Sequence, residues 1–289
     1  MAAREVQRIV HSQRQREGGG FIVRRPFPTA GLDHIDPFLL LDEMGPADYG
    51  PGEAVGAPDH PHRGFETVTY MLDGEFEHED SAGNRGTIAA GDVQWMTAGD
   101  GVIHSEMPAR WIKERGGRVH GFQLWVNLPA RDKRIAPRYQ DVRAATMPTW
   151  RSEDGRATVK VIAGRVLGVA GAAQTRIPIT YLDVALDDGA EVNLDVPADQ
   201  TAFVYTFGGA LQVGTQVRGV ADGDMAVLSQ GDSVRLRATK DGTRALVLAG
   251  QPVREPVARY GPFVMNTREE IYEAFADYQS GRFGQIART

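Results

Sequence analysis

Short apolar and β-branched runs, separated by polar and glycine-containing turn stretches, recur along this chain and constrain its fold more than any other feature. Phe38-Leu39-Leu40-Leu41 ends at Asp42-Glu43. Thr67-Val68-Thr69-Tyr70-Met71-Leu72 ends at Asp73-Gly74, a tight-turn dipeptide. Val93-Gln94-Trp95-Met96 follows Gly91-Asp92, and residues 121–127 alternate large with polar side chains. The second half repeats the style at residues 159–162, 181–184, 202–205, 226–228 and 245–248. With 34 glycines and 16 prolines among 289 residues, the composition suits strands joined by tight turns. The chain is read as all-β.

One helix is expected, near the end. Thr267 is a good N-cap, Glu270 completes a capping box, and Ile271, Ala274, Phe275 and Tyr278 share one face before Gly281. An internal echo also appears. Tyr70-x-x-x-Gly74 with Gly91-Asp92 matches Tyr205-x-x-x-Gly209 with Gly231-Asp232, which suggests two similar β-barrels. The polar, basic stretch 129–137, with proline at both ends, is taken as the linker. The expected domains are therefore residues 1–135 and 136–289.

Composition narrows the function. A formal charge of −6 argues against non-specific nucleic-acid binding, which needs a basic surface. The absence of cysteine removes disulfides, thiol nucleophiles and thiolate-bound zinc. No apolar run is long enough to span a membrane, and residues 1–10 show no apolar leader, so the cytoplasm is the expected compartment.

All seven histidines lie before residue 121, so metal or catalytic work is expected in the first half. In His60-Pro61-His62 an extended backbone turns both imidazoles to one face. His104-Ser105-Glu106 does the same with an imidazole and a carboxylate. On neighbouring strands the two pairs make three imidazoles and one carboxylate around one cavity, an all-nitrogen-and-oxygen set for a first-row divalent ion. Asp59 is either an acceptor that orients an imidazole or a loop aspartate. His78, in the acidic run 75–80, is expected on a solvated hairpin edge. His11, His34 and His120 have no such partners and are taken as structural or surface residues.

At this point the residues resemble a known family. Asp59 to Tyr70 (DHPHRGFETVTY) looks like the first motif of the pirins, within the cupin superfamily. Gly91 to Gly99 (GDVQWMTAG) leading to His104-Ser-Glu-Met-Pro108 looks like the second. Residues 123–129 and 261–267 also match pirin segments, so the resemblance covers nearly the whole chain. It implies a bicupin, two jelly-roll barrels in one chain, with one metal in the N-terminal barrel at His60, His62, His104 and Glu106. It implies a C-terminal barrel without metal ligands. Many cupins place the carboxylate four residues after the His-x-His, here Glu66. The pirin pattern favours Glu106, leaving Glu66 as a neighbouring or alternative carboxylate.

The implied activity is that of a quercetin 2,3-dioxygenase. A flavonol would bind the metal through its 3-hydroxyl, Glu106 or Glu66 would take the proton, and dioxygen would open the ring with loss of carbon monoxide. Iron(II) is the expected ion, and manganese, nickel, cobalt and copper accept the same donors. The alternative is a regulatory pirin whose bound iron is a redox switch for a protein partner. An open, aromatic-sized cavity favours the enzyme and a closed site favours the switch. Phe65, Met71, Trp95, Phe122 and Trp125 are read as barrel core before pocket wall. A monomer is expected, because the second barrel can cover the first as a dimer partner would.

Overall fold

The computed structural model describes residues 2–288; Met1 and Thr289, the outer limits of the two expected domains, lie outside the described residues. The strand-forming runs pair into antiparallel sheets, and their burial alternates as a sheet with one wet face requires. In Glu191–Asp195, Val192 and Leu194 are buried while Glu191, Asn193 and Asp195 are exposed. Each of two units carries a seven-stranded and a four-stranded sheet, the double-sheet arrangement of a jelly roll.

The first unit comprises Arg14–His34, Phe38–Ala144 and the chain from Val253 onward. Its large sheet runs Arg138–Val142, Val93–Thr97, Phe65–Asp73, Gly117–Asn127, Phe38–Tyr49, Phe21–Phe27, Gln13–Glu17. Its small sheet runs Ala57–His62, Val102–Pro108, Glu75–Asp80, Arg85–Ala89. The second unit comprises the chain up to Gln13, Ile35–Pro37 and Ala145–Pro252. Its large sheet runs Val6–His11, Asp224–Leu228, Thr201–Thr206, Thr243–Gly250, Ile179–Leu186, Ala157–Ala163, Thr149–Arg151. Its small sheet runs Glu191–Asp195, Ser233–Ala238, Ala210–Val213, Arg218–Ala221.

The units are not simple halves at residue 135. Val6–His11 pairs with Asp224–Leu228 of the second unit, and Arg138–Val142 pairs with Val93–Thr97 of the first. Each strand covers what would otherwise be an open sheet edge, where unpaired backbone groups are a liability. The stretch 129–137 is also more than a linker: it holds a short 3₁₀ turn, Ala130–Asp132, and Lys133 is only 1% exposed.

The C-terminal helix, Arg268–Gln279, forms with the expected capping box of Thr267 and Glu270. Ile271 and Ala274 are buried with Phe263, Met265 and Phe283 of the same unit, so the helix belongs to the first barrel. Asp277 on its buried side binds Arg63 (2.9 Å) and Arg282 (2.6 Å).

The internal echo is real but shifted. Gly91 N–H donates to the Met71 carbonyl, one residue after Tyr70, at 2.8 Å. Its counterpart is Gly223, whose N–H donates to the Thr206 carbonyl, one residue after Tyr205, at 2.8 Å. Gly231-Asp232 instead precedes Ser233–Ala238 of the small sheet, so the sequence match paired the wrong turns.

Candidate metal centre

The site is built on two neighbouring strands of the small sheet. Ala57–His62 and Val102–Pro108 run antiparallel, and His104 lies opposite His60. With His60 and His62 two apart on one strand, the register brings three imidazoles together. One ligating atom from each of His60, His62 and His104 lies within 4.8 Å of the others. The ring centroids are 4.3 to 5.0 Å apart. Just beyond His62 the chain turns at Gly64, with φ of +89°, where an added Cβ would lie 2.0 Å from the Val264 carbonyl oxygen. Only glycine fits that approach.

The hydrogen bonds define which ring nitrogens are free. His60 Nδ1 donates to the Pro58 carbonyl at 2.7 Å, and His62 Nδ1 donates to the Pro262 carbonyl at 3.3 Å. A carbonyl can only accept, so Nδ1 carries the proton in each ring, and it is Nε2 that either ring can offer as a ligand. Both ring nitrogens of His104 are buried with no hydrogen-bond partner among the described residues. Burial, and then the neighbouring imidazoles, holds His62 and His104 well below the ordinary imidazole value of 6.5. They are therefore neutral, the form that ligates. An orphaned buried nitrogen on a neutral imidazole, beside two further imidazoles, fits a divalent ion on chemical grounds.

The candidate carboxylates lie outside this tight group, Glu106 in the wall of the same cavity. Glu106 does not join the three-histidine cluster. The ladder with Ala57–His62 slips between His104 and Glu106, but the extra residue is on the 57–62 strand, and His104 and Glu106 stay in unbroken register with Glu75–Asp80. Glu106 instead accepts from the Thr69 hydroxyl at Oε1 (2.7 Å) and from the Gln123 amide at Oε2 (3.2 Å). Glu66 sits in the large sheet, fully buried, where Oε1 accepts from the Thr97 hydroxyl at 2.6 Å. It does not join the cluster either.

A cavity of about 500 Å³ opens beside the histidines. His60, His62, Glu106, Gln123 and Trp125 line it, with Arg25 and Arg259 also in its wall. Of the five large apolar candidates, Phe65, Met71, Trp95 and Phe122 are fully buried core, and Trp125 alone lines the cavity. The Trp125 ring lies 5.2 Å from that of His62 and 4.3 Å from Phe65.

One sequence expectation needs correction, for His78, and one reading left open, for Asp59, is narrowed. His78 is not on a solvated edge: it is 2% exposed, with its ring 4.5 Å from Tyr139 and 5.9 Å from His104. The alternation Phe76, His78, Asp80 inward against Glu75, Glu77 and Glu79 outward is the signal that the acidic composition obscured. Asp59 does not orient an imidazole, since its carboxylate pairs with Arg288. His120 is structural as expected, bound to Glu43 at 2.8 Å, while His11 and His34 pair with Asp224 and Asp33.

Other contributors went unforeseen. The backbone carbonyl of Pro262, which orients His62, is 200 residues away in sequence. Lys133 clips the loop after His62 to the C-terminal segment, donating to the carbonyls of Gly64 (2.8 Å) and Val264 (3.0 Å) and to Asn127 Oδ1 (2.7 Å). Burial pushes its ammonium down to about 7.

Comparison with known proteins agrees with this architecture. The Pirin family model matches residues 20–126, and the Pirin C-terminal cupin domain matches residues 181–284. A pirin-like protein of Solanum lycopersicum is 43% identical, over 97% of this chain and 93% of its own. Pirin of Mus musculus is 42% identical, over 100% of this chain and 97% of its own. The crystal structure of quercetin 2,3-dioxygenase from Acinetobacter baumannii superposes with a TM-score of 0.93 at 40% identity, covering 99% of this chain and 100% of that one. No helix of the described residues is long and apolar enough to cross a membrane.

Proposed function

The chain belongs to the pirin family, and from that premise we propose that it is a metal-dependent dioxygenase of the quercetin 2,3-dioxygenase type. The observation that carries this reading is the open cavity of about 500 Å³ that His60 and His62 of the triad line, beside Trp125 and Glu106. A redox switch for a protein partner, the alternative role, needs no such aromatic-sized space beside its metal.

His60 and His62 offer Nε2, and His104 a buried ring nitrogen, to an ion we take to be iron(II). When bound, the ion would lower the pKa of a chelated hydroxyl and favour reaction of the resulting anion with dioxygen. Trp125 offers a flat wall to a flavonol ring. Glu106 is assigned the hydroxyl proton, and its surroundings suit the task. The Thr69 hydroxyl lies 2.7 Å from both Glu106 Oε1 and Gln123 Oε1 but carries one proton. With Glu106 ionised, Thr69 donates to it. Once Glu106 is protonated at Oε1, the hydroxyl accepts from it and turns its own proton to Gln123. Both states of the carboxyl are satisfied without moving a side chain. The overall reaction consumes one dioxygen, opens the flavonol ring to a depside and releases carbon monoxide.

The test is flavonol turnover and carbon monoxide release by the iron-loaded protein, set beside Glu106→Gln. The expected result is turnover in the wild type and a loss of about 10²–10⁴-fold in the variant with iron retained. Loss of iron from the variant marks Glu106 as a fourth ligand instead. An iron-loaded wild type that binds no flavonol and releases no carbon monoxide contradicts the reading.

A further inference from the structure

The charges in the wall of the cavity are unequally matched. Arg25 holds Asp42 through Nε (2.6 Å) and also pairs with Glu17 at 2.7 Å. Asp59 pairs with Arg288, and Glu106 is held by Thr69 and Gln123. Arg259, from the C-terminal segment, lines the same cavity and makes no ion pair with any described residue. Its guanidinium makes one hydrogen bond, from Nη1 to the Leu39 carbonyl at 3.0 Å, and lies 5.0 Å from the centroid of the Trp125 ring.

The carboxylates around it are engaged elsewhere. Asp42 and Glu17 are on Arg25, and Asp33 is on His34. A guanidinium has five N–H donors in a fixed fork suited to a carboxylate or sulfonate, and only one is used here. Burial lowers the pKa of Arg259, as desolvation of a cation does, while Asp33, Asp42 and Glu17 oppose the shift without pairing with it directly. Trp125 has one ring contact with His62 and another with Arg259. Trp125 thus links His62 to a guanidinium that lies over its ring and makes no direct ion pair with any described residue.

We propose that Arg259 sets the specificity of the cavity, selecting an aromatic chelator that bears an anionic substituent at the end away from the triad. This rests on the dioxygenase reading for the nature of the chelating end. The geometry alone supplies the distal cation. An anion there gains a charge-assisted, bidentate partner in a partly desolvated place. A neutral ring leaves the guanidinium unmatched.

The experiment is an anaerobic titration of the iron-loaded protein with 3-hydroxyflavone and with its 4′-carboxylate, followed by absorbance. The expected result is at least about tenfold tighter binding of the carboxylate. In Arg259→Gln the two affinities converge, and in Arg259→Lys part of the preference returns. Iron content, measured on each variant, shows that the triad is intact. Equal affinities in the wild type, or a preference that survives Arg259→Gln, overturn the proposal. The readings separate when oxygen is admitted. Equal binding with ring opening removes this inference and leaves the dioxygenase. An Arg259-dependent preference with neither compound opened removes the dioxygenase and leaves the inference. Binding of neither compound overturns both.

Discussion

The two barrels order their strands alike and fill their small sheets differently. In the first, Ala57–His62 and Val102–Pro108 carry His60, His62, His104 and Glu106. In the second, the strands at the same places are Glu191–Asp195 and Ser233–Ala238. There Val192 lies opposite Leu236 and Leu194 opposite Val234, all buried in one aliphatic cluster. One backbone plan thus supports either a site or a core. Burying a leucine side chain contributes about 1.5–3 kcal/mol. Leaving a buried ring nitrogen unpaired, as in His104, costs about 1–3 kcal/mol. The second barrel fills these strands with core, and the first leaves buried ring nitrogens that an ion could satisfy.

That contrast can be attacked from both sides. The largest effect is expected in the second barrel. Leu236 is fully buried, so Leu236→Ala should cost about 2–5 kcal/mol in denaturant unfolding while leaving metal content unchanged. A loss of metal in that variant would show that the barrels do not divide the work as described.

The next effect belongs to the first barrel without its ion. Burial, then neighbouring imidazoles, depresses His62 and His104 in the folded state, whereas in the unfolded chain they protonate near 6.5. As pH falls, the unfolded chain takes up protons first. The metal-free protein should therefore hold this part of its stability above pH 6.5 and lose it below, by at most about 2.7 kcal/mol per pH unit for two groups. Urea unfolding of apo-protein across that range checks the sign. Stability that rises on acidification through the same window would contradict buried neutral histidines.

The smallest effect tests the carboxylate's surroundings. Thr69→Val removes the hydroxyl that serves Glu106 in both protonation states. Turnover should fall about tenfold with metal retained. Unchanged turnover would separate Glu106 from the proton transfer.

How much of this was legible in the sequence depended on whether the signal was local. The triad was legible because i and i+2 on a strand share a face, so His60 and His62 announce a pair before any register is known. The capping box of the C-terminal helix was legible for the same reason. Its placement in the first barrel was not, because burial of Ile271 and Ala274 says nothing about which sheet receives them. Glu106 was expected in the cluster because strand parity puts it on the face of His104, and its hydrogen bonds to Thr69 and Gln123 of the other sheet leave no mark in the sequence. His78 was misplaced because its acidic neighbours suggested solvent, although alternation had it facing inward. Pro262 acts through a carbonyl that every residue possesses, and Lys133 through three neutral acceptors brought from distant segments. Neither has a composition that could have flagged it.

The most direct measurement is the metal content of the purified, reconstituted protein and of His104→Ala, by elemental analysis. About one divalent ion per chain in the wild type and close to none in the variant is the result expected of a single histidine centre in the first barrel. Equal metal in both proteins, or none in the wild type after reconstitution, would contradict it.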